Sequence, residues 1–303
     1  MSVLHVLLPA LSRCAQVPAL RRWRQRGDTL DAVERGRLAA IAVCFRVPTR
    51  MLPVAALTRD FAAGDAGGAS WMCADPASVQ PDMSGARMLA CGNLELTADE
   101  AAALVQDLGP LFEAHDCRLE PTTPSRWHLR LPPGTSAPQS ASAEQVLGDD
   151  LLPHLPQGPG ARRWRVLFNE VQMALHEHPV NRTRQARGQL PVNAVWLWGG
   201  GSLPAAVQTS VAQVFSDDAL VRALAVRARV AVAQPVADFG IGSAVANVDT
   251  LLDLGLAGDV DAATRQLLSV WRHGRIDAML LAFESGERIR VRHWHRWRAW
   301  RRA

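Results

Sequence analysis

The stretch Asn169-Glu170-Val171-Gln172-Met173-Ala174-Leu175-His176-Glu177-His178-Pro179-Val180-Asn181, continued through Pro191-Val192-Asn193-Ala194-Val195-Trp196-Leu197-Trp198-Gly199-Gly200-Gly201, decides how this chain is read. Its first half is an amphipathic helix: Trp164, Leu167, Phe168, Val171 and Leu175 recur at three and four residues on one face, with Asn169, Gln172 and His176 beside it. Pro179 pushes His178 out of the helical basin, so the helix ends there. Asn181 then caps a short basic helix that runs through Arg187 and stops at Gly188. Residues 192–198 read as a buried strand, the glycine triplet as its turn, and Ser202 with Pro204 as the start of another helix. That order aims backbone N–H groups at the carboxyl edge of a sheet, where α/β folds hold anions. A plain strand–helix turn explains the triplet equally well, because the phosphate-loop and nucleophile-elbow patterns are both absent.

The candidate ligand-binding residues are therefore His178, Asn181, Arg184, Arg187, Asn193, Trp198, Gly199, Gly200 and Gly201. They would form a pocket for a small phosphorylated or carboxylated metabolite, with arginine forks and backbone donors on the anion and Trp198 as an apolar wall. Each has a structural alternative. Arg184 and Arg187 either grip an anion or solvate a short helix, and Asn169 and Asn193 either face a ligand or pin loops. His176 and His178, two residues apart across a helix end, do not share a face and are not a metal pair.

Composition narrows the chemistry. The 303 residues are 48% hydrophobic, enough for a large core with a lobe. All 33 basic residues are arginine and tyrosine is absent, which excludes lysine Schiff bases, a phosphate-loop lysine and tyrosine nucleophiles. Five scattered cysteines without a C-x-x-C pair suit buried thiols in a reducing cytoplasm. The apolar run 3–11 is too short to span a bilayer and reads as a buried first strand. A net charge of +4, concentrated near the C-terminus, does not imply a general nucleic-acid surface.

Outward from the central stretch, residues 16–26 and 32–45 have helical spacing, and residues 71–74 and 87–90 are short strands. Thr97 caps an alanine-rich helix reaching about residue 108. Residues 119 and 127–131 complete a small α+β lobe, and residues 230–236 are a strand. Residues 279–283 turn at Glu284-Ser285-Gly286-Glu287 into a hairpin with Ile289 and Val291. The resulting division is residues 1–61 as the first part of an α/β core, 62–131 as the lobe, 132–160 as a Pro/Gly/Ser-rich linker, and 161–303 as the rest of the core with an Arg/Trp tail. The tail, 288–302, is either a contact for phosphates, anionic lipid or an acidic partner, or an edge strand whose tryptophans cover the rim of the core.

Taken whole, His178-Pro179-Val180-Asn181 with Arg184, Gly188, Pro191, Asn193 and Trp198-Gly199-Gly200-Gly201 resembles a block of the archaeal-type cofactor-independent phosphoglycerate mutases, members of the alkaline-phosphatase superfamily. The run resembles even more closely a bacterial family of regulatory proteins of the "regulation of pathogenicity factors E" type. Weaker echoes lie at Leu7-Leu8-Pro9-Ala10-Leu11, at Trp71 with Ala74-Asp75-Pro76, and at Arg126-Trp127. The resemblance implies a trimmed alkaline-phosphatase-like core sheet with a small α+β lobe. It also implies, for an active mutase, two metal ions held by an early Asp, a carrier Ser and late Asp/His pairs. This chain departs from that pattern. Its first strand ends Pro9-Ala10-Leu11-Ser12-Arg13 without an acidic residue, and no histidine lies between His178 and His273. Asp249, Asp253, Asp259 and Asp261 remain, with spacings that also suit caps and loops. Trp198 stands where the archaeal mutases carry an arginine. The expectation is a catalytically degenerate, cytoplasmic regulatory or anion-sensing protein without a cofactor, its partner a metabolite or another protein. The alternative is a phosphotransferase or phosphohydrolase with a rearranged manganese or zinc site.

Overall fold

A computed structural model describes residues 2–49, 51–82, 85–157, 160–233, 248–272 and 276–298. The chain forms two compact units, residues 1–48 with 205–303 and residues 49–204. It begins in the first with β1 (Val3–Leu8), α1 (Leu11–Cys14), α2 (Pro18–Arg26), β2 (Asp28–Leu30) and α3 (Arg37–Ala42). The second unit holds α4 (Val54–Ala63), β3 (Ser70–Asp82), β4 (Gly85–Cys91), α5 (Ala98–Ala114), β5 (Arg118–Thr123), β6 (Arg126–Arg130), α6 (Ala143–Val146), α7 (Ala161–His176), α8 (Pro179–Ala186) and β7 (Ala194–Ser202). Back in the first unit follow β8 (Gln213–Phe215), α9 (Ala219–Arg227), β9 (Ala231–Ala233), β10 (Thr250–Asp253), α10 (Val260–Arg272), β11 (Ala278–Phe283) and β12 (Arg288–Arg292).

The first unit is an α/β layer structure around a seven-stranded sheet ordered β2-β12-β11-β1-β10-β8-β9. Strands β11, β1, β10, β8 and β9 run parallel, so their carboxyl ends share one edge. In β1, Leu4, Val6 and Leu8 alternate onto one face and pack with Leu20 and Trp23 of α2 and Leu267 and Trp271 of α10. The expected hairpin closes β11 onto β12 in antiparallel register, Met279 opposite Val291. Strand β12 is not an edge strand as expected, because β2 pairs with its other side. Of the strand expected at 230–236, Ala231–Ala233 is seen, and 234–236 lie outside the described residues.

The second unit is built on the long strand β3, which pairs antiparallel with β4 and β6 along one side and with β7 along the other. Its helices α5 and α7 cover one face through Leu104, Leu108, Phe112, Trp164, Leu167 and Leu175 against Met72, Trp127 and Leu129. Thr97 caps α5 as expected: its hydroxyl accepts from Glu100 N at 3.1 Å while Glu100 reaches back to Thr97 N at 3.0 Å.

The domain limits differ from those expected. Residues 161–204 belong with the lobe, because β7 continues the β3 sheet from Ser70 opposite Ser202 to Ala77 opposite Ala194. Residues 132–160 are no linker between domains either. Val146 is buried, Ser142 caps α6, and Leu147 bridges to Met88, so the middle of this run is packed within the second unit. A low-periodicity sequence can be ordered by side chains that each find a local partner.

Candidate functional site

The expected pocket residues fall into two groups, and in both, Arg187 apart, the polar side-chain atoms are engaged by the protein. His178, rather than Asn181, caps α8: its Nδ1 accepts from Val180 N at 3.2 Å, which leaves Nε2–H to donate to Asp107 at 2.9 Å. Asn181 lies inside the helix and ties its neighbours together. Its Nδ2 donates to Leu175 O and Val192 O at 2.8 and 2.7 Å, and its Oδ1 accepts from Val192 N at 2.8 Å. Arg184 is 1% exposed. It donates from Nε to Leu190 O, from Nη1 to Glu100 and from Nη2 to Leu94 O, at 2.9, 2.9 and 2.6 Å. This guanidinium is a brace between α8, the start of α5 and the loop before it. Arg187 is exposed and stands 4.0 Å from Glu100.

The second group follows β7. Asn193 mimics a strand pair, accepting from Val79 N and donating to Val79 O, both at 2.7 Å. Trp198 is buried and donates from Nε1 to Asp75 at 2.8 Å, with the Arg126 guanidinium 5.3 Å from the centre of its ring. Asp75 is 1% exposed, and burial raises its pKa against the pull of Arg126 and the Trp198 N–H. The glycine triplet corrects the expected strand–helix turn. Gly199, Gly200 and Gly201 lie within β7, and Ser202 ends that strand instead of capping a helix. Helix α4 sits where the missing side chains would be: a Cβ on Gly199 would lie 2.9 Å from Val54 Cβ, and one on Gly201 2.8 Å from Pro53 Cβ. Gly199 also has φ +61°, a conformation that suits glycine. Gly199 and Gly201 thus admit a helix, and Gly200 admits Ala137, whose Cβ a Cβ there would overlap.

A different cluster occupies the carboxyl edge of the parallel sheet in the first unit. Asp253 ends β10, Glu284 directly follows β11, and Asp218 follows β8 and caps α9. At their centre is Arg37, the first residue of α3. It donates from Nε to Asp218 at 2.8 Å, from Nη2 to Asp253 at 2.8 Å, and from Nη1 to Glu284 at 3.1 Å. Asp253 also accepts from Ser216 Oγ at 2.6 Å and from Gly255 N at 3.0 Å. The seat depends on Gly255, where a Cβ would overlap Arg37 Nη1. Burial works against the Arg37 charge, yet Asp253 and Asp218 more than offset it and raise its pKa. Beside the cluster, a cavity of about 380 Å³ is lined by Asp217, Asp253 and Asp259 with Gln266.

This donor set does not fit a pair of metal ions. The oxygens that would ligate them hold a fixed guanidinium, and among the described residues no group of three or more His, Cys, Asp or Glu has metal-site geometry. Of the other late aspartates, Asp259 lines that cavity, and each has its own local partner. Asp249 accepts from Val3 N, Asp259 accepts from Ala262 N at the start of α10, and Asp261 pairs with Arg265 one turn on. His293 donates to Ile276 O and stacks on Trp271, and His273 lies outside the described residues. Sequence reasoning singled out Asp253 but missed Arg37, Asp218 and Glu284. The available signal was an acidic residue at the end of each of three apolar strands.

No family model matches the chain. Part of it is similar to curated proteins named as 2,3-bisphosphoglycerate-independent phosphoglycerate mutases. It is 44% identical over 59 residues to a probable enzyme of that name from Geobacter sulfurreducens, covering 20% of this chain and 15% of the relative. It is 39% identical over 59 residues to the one from Methanothrix thermoacetophila, with the same coverage, and 26% identical over 111 residues to the one from Methanosarcina mazei, covering 36% and 28%. The matches thus span well under half the length of these relatives. Among solved structures, the PH0037 protein from Pyrococcus horikoshii shares the fold at a TM-score of 0.52 and 13% identity, covering 95% of this chain and 86% of that one. A cofactor-independent phosphoglycerate mutase from Thermoplasma acidophilum superposes at a TM-score of 0.42 and 14% identity, covering 96% and 89%. The chain is phosphoglycerate-mutase-like in part of its sequence, and its α/β fold, expected from the sequence, is shared with the PH0037 protein. No helix among the described residues is long and apolar enough to cross a membrane.

Proposed function

We propose that this chain is a phosphoglycerate-mutase-like protein without turnover, acting in the cytoplasm as a regulatory protein of the "regulation of pathogenicity factors E" type that responds to a small anionic metabolite. The observation that carries the reading is Arg37. A fixed guanidinium occupies the carboxylates at the edge where an α/β sheet presents its chemistry, and it does so with three directed donors. A metal ion entering there would have to expel a cation bound by Asp218, Asp253 and Glu284. Without such ions, neither nucleophile activation nor leaving-group stabilisation is supplied by that route. The test is an assay of purified protein for interconversion of 2- and 3-phosphoglycerate and for aryl phosphate hydrolysis, with manganese or zinc added. The reading expects no turnover above the uncatalysed rate. Metal-dependent turnover abolished by Asp253→Ala would overturn it.

One observation favours a second reading, a metal-dependent phosphotransferase with a rearranged site. The cavity beside Arg37 brings Asp217 and Asp259 to the same edge as Asp253, which with Asp218 and Glu284 makes five carboxylates around one guanidinium. Under that reading Asp217→Ala and Asp259→Ala, like Asp253→Ala, would remove metal-dependent activity.

A further inference from the structure

A second cavity, of about 250 Å³, lies in the first unit among α2, α10, β12 and the turn at His293–Trp297. It shares no residue with the carboxyl-edge cluster. Five arginines line it: Arg22 and Arg26 from α2, Arg272 from α10, Arg292 from β12 and Arg296 from the turn. Among the described residues no carboxylate lines it. Among the described residues, Arg22, Arg26, Arg272 and Arg296 form no ion pair, and Arg292 reaches Asp28 only at 3.7 Å. That single carboxylate is also held by Arg298 at 2.7 Å. The apolar part of the cavity comes from Trp23 and Trp271, which are nearly buried, and Trp271 is fixed in orientation by stacking on His293 at 4.0 Å and 5°.

Converging guanidiniums without a countercharge repel one another, and an anion carrying several negative charges reverses the sign of that interaction. Guanidinium forks match phosphate oxygens in geometry as well as charge. The indole edges add a surface for a flat, apolar group of the same molecule. From these elements we infer that this cavity binds a small phosphorylated molecule, its phosphates on the arginine rim and an apolar ring against the exposed edges of Trp23 and Trp271. The cavity is a pocket of limited volume, which favours a small molecule over a polymer lying along the surface.

The experiment is calorimetric titration of the full chain with ATP, inorganic tripolyphosphate, a short single-stranded DNA oligomer and phosphatidylserine vesicles, each at two salt concentrations. It is repeated with the double variant Arg22→Gln/Arg272→Gln. Both positions are exposed on helices and Gln keeps helix propensity, so the variant tests charge and not folding. ATP binding that is tighter than tripolyphosphate binding and at least tenfold weaker in the double variant is the expected result. Equal binding of ATP and tripolyphosphate would remove the tryptophan edges from the site. Binding of DNA or vesicles without binding of ATP, unchanged binding by the double variant, or no binding at all would overturn the inference.

Discussion

Arg184→Met removes a guanidinium that the fold uses at three points. In the native chain the head group bonds Glu100, Leu94 O and Leu190 O, and almost none of it meets water. Methionine fills much of the volume but returns none of these bonds. Glu100, itself only 13% exposed, loses its buried partner and keeps the Thr97 N–H and a distant Arg187. Breaking a buried ion pair on one side typically costs about 3–5 kcal/mol, because a charge is left uncompensated. Two stranded carbonyls add to this in a way that is not additive, so the expected loss is at least roughly 3 kcal/mol. The assay is urea unfolding followed by tryptophan fluorescence, comparing midpoints at unchanged slope. Arg187→Met is the control, since that side chain is 62% exposed and its ion pair is 4.0 Å long; it should shift stability by under about 0.5 kcal/mol. If Arg184→Met costs less than about 1 kcal/mol, the guanidinium is not a brace, and the anion-gripping role that the sequence allows for it returns.

Gly199→Ala should destabilise by roughly 1–3 kcal/mol in the same assay, from a left-handed φ and a clash with Val54; an unchanged midpoint would mean α4 does not rest on the triplet. His128 is fully buried between Thr58 and Thr122, whose hydroxyls lie 3.0 and 2.7 Å from its ring nitrogens. Thr58 Oγ also lies 2.8 Å from Val54 O, so it can give its hydrogen there and accept from Nε2–H, while Thr122 donates to Nδ1. Burial, with Arg126 and Arg59 nearby, pushes the His128 pKa down to about 3 from an ordinary 6.5. The unfolded chain therefore takes the proton first. The stability that His128 contributes is complete above about pH 6.5 and declines as pH falls toward 3, by roughly 2.7 kcal/mol at pH 4.5. His128→Gln should flatten the pH dependence of the urea midpoint between pH 7 and 4.5; parallel curves for the two proteins would refute this.

What was legible in the sequence was legible because its cause is local. The apolar face of α7, the Thr97 cap and the Glu284–Glu287 hairpin turn are each determined within a dozen or so residues, and the structure shows all three. The glycine triplet was not legible, because the same residues serve an anion turn or the close approach of a helix. The deciding partners, Pro53 and Val54, lie far away in the chain. For Arg184 and Asn193 the sequence left a ligand-binding and a structural role open, because the deciding partners, Glu100 and Val79, come from elements brought together only by folding. The carboxyl-edge cluster is the extreme case. Asp218, Asp253 and Glu284 converge because β8, β10, β1 and β11 are neighbours in space, an order set by crossover connections and not by any spacing along the chain.

The central claim, that Arg37 holds the carboxylates that a metal would need, is tested most directly by calorimetric titration of manganese and zinc into the wild type and Arg37→Ala. Without the guanidinium, Asp218, Asp253 and Glu284 become three unneutralised carboxylates at one edge, a set of hard oxygen donors. The account predicts no stoichiometric metal binding by the wild type and acquired binding by Arg37→Ala. Stoichiometric binding of either ion by the wild type, lost on Asp253→Ala, would contradict it.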